Sequence, residues 1–223
     1  MQNAKCNMKR RLGFAFCILH FAFAACVSTR AANESPIAPL TAASGADALQ
    51  QLAARRAELP GARSFMRVRA GKQSFKAQLR VQGERMQLTV YTPLNTTAAT
   101  LYADGDRVTF LNSVDMTQWQ GSASQLAGSL GVFATKPSDL AMLLLGYPAS
   151  SGTYDATPAG LAHATLGSIT ATFDPPSLPA KHITIDHGAQ HIEFEQLEVI
   201  ATDEPLKAPK IPRDYQQGGG PRV

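Results

Sequence analysis

The sequence predicts a mainly β protein with a few helices, built as one strongly curved antiparallel sheet with helices against its inside. Three observations carry this. Apolar and polar residues alternate with a period of two in "SFKAQLRVQ" and "RMQLTV", the pattern of half-buried strands. The order along the chain is a helix, five or six strands, helices, then about four strands, which favours one sheet over alternating βαβ units. In "KPSDLAMLLLG", residues 140–145 are apolar on every side, so that helix has to be covered all round, or has to face both a core and an apolar ligand.

The first 25 residues stand apart. They carry Lys5, Lys9, Arg10 and Arg11 and no acid. Without these four, the 21 basic residues of the 223-residue chain fall to 17, equal to the 17 acidic ones. The net charge of +4 therefore belongs to this segment and gives no reason to expect nucleic acid, which needs a clustered basic surface. The apolar run from Leu12 to Ala25 is 14 residues long, short of the ~20 that cross a bilayer. A basic stretch, a short apolar run and small residues together read as an export signal over residues 1–25. Ordinary cleavage after the small residues Ala22 and Ala24 would leave Ala25 first. Cleavage at a lipobox would leave Cys26 first, and Phe23-Ala24-Ala25-Cys26 is similar to one, with Phe where Leu is usual. Cys6 and Cys17 are lost with the signal, so Cys26 has no internal disulfide partner and is a poor start for a zinc site. The expected modification is covalent lipid on Cys26. Diacylglyceryl plus N-acyl chains anchor stably, and Val27 in place of Asp suggests the outer membrane.

Residues 27–44 are small, polar and Pro-containing, and with Cys26 they read as a tether over 26–44, with an r.m.s. span of ~20–25 Å. The folded domain is expected over 45–202. Its first element is a helix in "ADALQQLAARRAEL", with Leu49, Leu52 and Ala53 on one stripe and a stop at Pro60-Gly61. Strands follow in "FMRVRAG", "SFKAQLRVQ" and "RMQLTV", then a hairpin in "ATLYADGDRVTFLN" turning at Asp104-Gly105. Helical patterning returns between Ser122 and Gly146, with Pro137 near a start and Gly146 at a C-terminal cap. "SITATFD", "KHITIDH" and "HIEFEQLEV" are strands. The last changes parity at Gln196, which predicts a bulge there. Residues 203–223 are Pro/Gly-rich and read as a flexible tail.

Motifs for chemistry are absent. The chain has no G-x-S-x-G, P-loop, G-x-G-x-x-G, H-E-x-x-H or C-x-x-C, so neither an enzyme nor a cofactor is expected. His182, His187 and His191 crowd one hairpin and read as wet-face histidines rather than metal ligands. Arg67, Arg69 and Arg80 read as a solvated sheet face, with an acidic partner as the alternative. One turn is unusual. In "YTPLNTTAATL" a leucine, Leu94, occupies a tight turn tip, either folded into the core or exposed to something apolar.

From about Phe65 to Ile200, "TPLNTTAATL", "PSDLAMLLLGYP" and "LPAKHITIDHGAQHIEFEQLEV", in that order behind a lipobox, resemble the outer-membrane lipoprotein receptor LolB and its LolA/LolB-like relatives. The resemblance implies an open antiparallel β-barrel with a helical lid. It implies a protein, lipid-anchored at the periplasmic face of the outer membrane, that receives lipoprotein acyl chains from a LolA-like carrier and inserts the lipoprotein, acting as a monomer without nucleic acid. Leu94 would be the exposed leucine of the loop that touches the bilayer, with Asn95 replacing the usual Gly. Candidate residues lining an acyl cavity are Phe75, Leu79, Leu88, Val90, Phe110, Leu140, Leu143, Leu144 and Ile185. The tail after Ala201 is outside the resemblance. A paralogue serving one envelope lipid or secretion pathway, and a structural lipoprotein without cargo, are the alternatives.

Overall fold

The structure is a computed structural model that describes residues 33–125 and 136–218. The expected signal segment and Cys26 lie outside the described residues. The elements, in order, are β1 (Glu34–Pro36), α1 (Gly45–Glu58), β2 (Ala62–Ala70), β3 (Gln73–Gln82), β4 (Arg85–Tyr91), β5 (Thr97–Asp104), β6 (Arg107–Asn112), β7 (Thr117–Ser122), α2 (Pro137–Leu144), β8 (Thr153–Thr157), β9 (Gly160–Leu166), β10 (Ile169–Phe173), β11 (His182–His187), β12 (Gln190–Thr202) and β13 (Gln216–Gln217).

The strands form one curved open sheet in the order β13-β7-β6-β5-β4-β3-β2-β12-β11-β10-β9-β8, with β1 added to the end of β12. Every pairing is antiparallel except β13 with β7. Two hairpin-connected halves meet where β12 pairs β2, far apart in sequence. The register of that closure shifts between Gln196 and Glu198, at the parity change visible in the sequence. The sequence reading missed β8 and β9, whose outward positions are small or polar and whose apolar ones are interrupted.

Helices α1 and α2 lie where their patterns require. Ser44 caps α1 by accepting from the Asp47 amide at 3.2 Å. The helix packs on β8 and β9 through Ala48 and Leu52, both buried. Ala48 thus stands in the stripe where Ala53 was expected, and Ala53 is exposed. In α2 every residue from Pro137 to Leu144 is buried against the inner face near β3 and β4. Its end is a Schellman motif: Gly146 N–H donates to Leu143 O at 2.9 Å and Tyr147 N–H to Met142 O at 3.0 Å. Gly146 has φ +90 and lies against Ala180, so a side chain there would meet both strain and a neighbour.

Buried polar groups fix α2 at both ends. Asp139, whose side chain is 4% exposed, accepts from Arg56 of α1 at 2.8 Å and from the Ser150 amide and hydroxyl at 3.1 and 2.6 Å. Arg56 also donates to Pro148 O at 2.5 Å. At the other end Gln196, at the β12 bulge, donates to Leu144 O at 2.6 Å and accepts from Ser64 of β2. Burial pushes the Asp139 carboxyl up, but the Ser150 and Arg56 hydrogen bonds outweigh it and hold the group below its usual range.

The expected tether and tail are anchored over their described parts. Within 33–44, β1 pairs β12, Ile37 and Leu40 are buried, and Asn33 binds Asp203 through its amide and its side chain. Small and Pro-rich composition hid this, because the two apolar residues are widely spaced. After Asp203 the chain runs back across the outer face. Glu204 pairs with Arg80 at 2.9 Å, the Leu206 amide donates to Gln82 Oε1 at 2.9 Å, and Leu206 is 2% exposed. Gln216 and Gln217 then pair with β7. Arg80 and Gln82 alternate with the inward Leu79 and Val81, so the tail lies outside the sheet. Thr89, Thr100, Tyr102 and Leu111, all outward by the same alternation, are buried there. Pro205, Pro209 and Pro212 suit an extended strap that needs few ladder bonds.

Two outcomes are expected. Asp139→Ala should lower stability by about 3 kcal/mol in urea unfolding, since it strands Arg56. Because the folded pKa of Asp139 is depressed, its contribution is full above the unfolded value of 3.8 and is lost as pH falls below it, a slope the variant should lack. Leu206→Ala should cost about 2 kcal/mol or more; no loss would make the tail a free end.

Candidate functional site

The pairing registers convert isolated apolar residues into rows on the inner face. One row crosses the later half of the sheet: Phe173, Ile183, Phe194, Val68 and Phe75, each directly opposite the next. A second crosses the earlier half: Leu79, Leu88, Leu101, Phe110 and Trp119. Directly opposed residues share a face, so each row is a continuous apolar strip.

Burial divides the nine candidate lining residues in two. Leu79, Leu140, Leu143, Leu144 and Ile185 belong to the packed core, between 0 and 9% exposed, where α2 fills the curve of the sheet. Phe75, Leu88, Val90 and Phe110 are half-buried, as are Leu101 and Trp119 beside them. The inner face is thus filled around β2 and β3 and less deeply buried toward β7. The first five pack in the hydrophobic core; the second group, with Leu101 and Trp119, is the candidate apolar face. Leu101 was missed although the Asp104-Gly105 turn carried the signal. A hairpin pairing Asp104 with Arg107 places Leu101 opposite Phe110.

Trp119 is the protein's only tryptophan. Its ring lies over Gly121, two residues along the same face of β7. A Cβ on Gly121 would stand 2.4 Å from Trp119 Cζ2, so glycine makes the space the indole occupies.

At one end of the sheet the β4–β5 turn presents Leu94, which is 86% exposed. Local bonds hold the turn. Thr92 N–H donates to Thr96 O at 2.8 Å, Asn95 N–H to Thr92 O at 2.9 Å, and the two threonine hydroxyls are 2.7 Å apart. Asn95 has φ 59, the left-handed conformation that Gly or Asn tolerates. Of the two readings of Leu94, the structure shows the exposed one. A cleft of about 210 Å³ lies behind the turn, bounded by Phe75, Tyr91, Pro93 and Asn95.

The outer face is polar, and Arg67, Arg69 and Arg80 on it are paired with acids. Arg67 pairs with Glu195 at 2.5 Å, Arg69 with Glu193 at 3.6 Å and Arg80 with Glu204. The sequence could not pair them, because the partners lie on β12 and the tail, more than 120 residues away. The same face carries a polar cleft of about 550 Å³ lined by Arg67, Arg69, His182, Glu193 and Glu195. His191 Nδ1 is 2.7 Å from Asp186, a contact that raises its pKa. Among the described residues no group of three or more His, Cys, Asp or Glu side chains is placed to hold a metal ion.

No family model matches the chain, and no curated protein matches it. Solved structures similar in part include an uncharacterized conserved protein from Thermus thermophilus, 10% identical over 76% of this chain and 97% of that one, TM-score 0.43. Another is a LolA superfamily protein from Nitrosomonas europaea, 9% identical over 76% of this chain and 99% of that one, TM-score 0.41. At these values the likenesses carry no functional argument.

Gly121→Ala should push the indole off the sheet. Red-shifted Trp119 emission and faster acrylamide quenching, in a protein that still folds, are the expected result; unchanged emission would place the ring elsewhere.

Proposed function

We propose that this chain is a lipid-anchored carrier of acyl chains in the cell envelope, which takes lipoproteins from a LolA-like periplasmic carrier and inserts them into the outer membrane. The observation that carries the reading is the half-buried apolar strip of Leu88, Leu101, Phe110 and Trp119 on the same sheet as a rigid turn that exposes Leu94. A side chain of that size at a hydrogen-bonded tip is stabilised only by contact with something apolar. The chemistry is physical, not covalent. The inner face has to shelter acyl chains from water without holding them more tightly than a bilayer does, so that release runs downhill. Partial filling by α2 suits that requirement, because it limits the apolar area a chain can bury.

Covalent lipid on Cys26 supplies the location in this reading. Six residues lie between Cys26 and Asn33, which is held by Asp203, and the seven Cα steps reach at most about 25 Å. Residues 34–36 of the expected tether pair with β12, so in this reading the domain stays within that reach of its anchor. A second reading, a structural lipoprotein without cargo, draws on the five candidate residues that lie in the filled core.

Leu94→Glu separates the steps. Placing a charge at the bilayer costs enough to slow delivery about tenfold or more. Binding of a fluorescent acyl probe and the urea midpoint should stay as in the parent. Undiminished delivery would remove Leu94 from the membrane step, and failure of the parent protein to bind the probe would leave the cargo-free reading.

A further inference from the structure

Leu94 has neighbours of the same kind. Four large hydrophobic residues stand exposed among the described residues: Leu94 at 86%, Val114 at 69%, Met116 at 52% and Leu197 at 50%. Leu197 is at the β12 bulge. The other three sit on two adjacent hairpin tips. Ser113 N–H donates to Ala98 O at 2.8 Å, which sets the β6–β7 turn beside the strand leaving the Leu94 turn.

The second tip is held as firmly as the first. Asn112 Oδ1 accepts from the Val114 and Asp115 amides at 3.0 and 3.2 Å. Met116 has φ 51, a conformation that costs an ordinary L residue energy. The C-terminal strap fastens it from outside, the Gln216 amide donating to Met116 O at 3.0 Å. The turn is thus fixed in a form that turns two apolar side chains to the outside. The hairpins at the opposite end of the sheet differ: Gly83-Glu84 joins β3 to β4, and Gly105-Asp106 joins β5 to β6, each with an acid and no large apolar residue.

We propose that Val114 and Met116 form a second membrane-inserting tip beside Leu94, so that the chain docks on a bilayer through two hairpins. The proposal takes from the functional reading only that the partner at this end is a lipid bilayer. Two features favour that occupant. Separate convex tips fit a fluid acyl layer, which closes around each one. Lys72 and Lys76 stand exposed at the same end, with no ion pair among the described residues, and suit anionic headgroups. Asp115, the acid between the two apolar residues, is turned back to accept from Asn112 Nδ2 at 2.8 Å.

The test places an environment-sensitive nitrobenzoxadiazole label at single cysteines in the full chain, with Cys6, Cys17 and Cys26 changed to Ser. Val114→Cys, Met116→Cys, Leu94→Cys and, as the solvent-facing control, Asp106→Cys are mixed with vesicles of phosphatidylethanolamine and phosphatidylglycerol. Labels at 94, 114 and 116 should shift to the blue and be quenched by lipid-borne nitroxide, while the label at 106 should not. Insertion at 94 with labels at 114 and 116 left in water would overturn the second tip and leave the functional reading standing. Insertion at none of the three would sink both. Equal insertion at 106 would mean adsorption without orientation and would also overturn the proposal.

Discussion

The buried carboxylate of Asp139 is the constraint on which the inner face depends. It joins α1 through Arg56, α2 through its own backbone, and the chain before β8 through Ser150. Without it, α2 would be held at its first turn by apolar contact alone, which gives position but little register. Gln196 does the same at the other end, linking Leu144, Ser64 and the bulge of β12. A helix apolar on all sides has no preferred face. These polar groups at its two ends select the orientation in which Leu140, Leu143 and Leu144 enter the core.

The fixed helix produces the asymmetry of the sheet. Around β2 and β3 the curve is filled. Toward β7 the strip of Leu88, Leu101, Phe110 and Trp119 is half-buried. The outer face carries matched ion pairs and the C-terminal strap, so apolar surface is concentrated inside the sheet and at one set of hairpin tips. The strap links these regions. It passes Arg80 on β3 and reaches Met116, at the root of the second tip, before pairing along β7.

Local pattern made much of this legible. Period-two alternation located β2 to β6, Pro137 and Gly146 bounded α2, and the parity slip at Gln196 marked the bulge. Leu94 stood out because a leucine at a turn tip needs a reason. What was not legible depends on partners distant in sequence. Asp139 reads as an ordinary first-turn acid until Arg56 and Ser150 meet it. Leu206 reads as tail until Gln82 holds its amide. Leu79 and Leu88 look equivalent as inward strand residues, and only the placement of α2 makes one core and the other half-buried. The second tip was missed because Val114 and Met116 flank an aspartate in a polar-looking turn.

The central claim is that acyl chains lie against the inner strip. Trp119, the single tryptophan, ends that strip and reports on it directly. Titration with a fatty acid brominated near its tail should quench Trp119 emission at saturation, while the unbrominated acid shifts it to the blue, and prior filling with the unbrominated acid should protect it. Equal emission with both acids, or quenching that never saturates, would contradict an acyl site on this face.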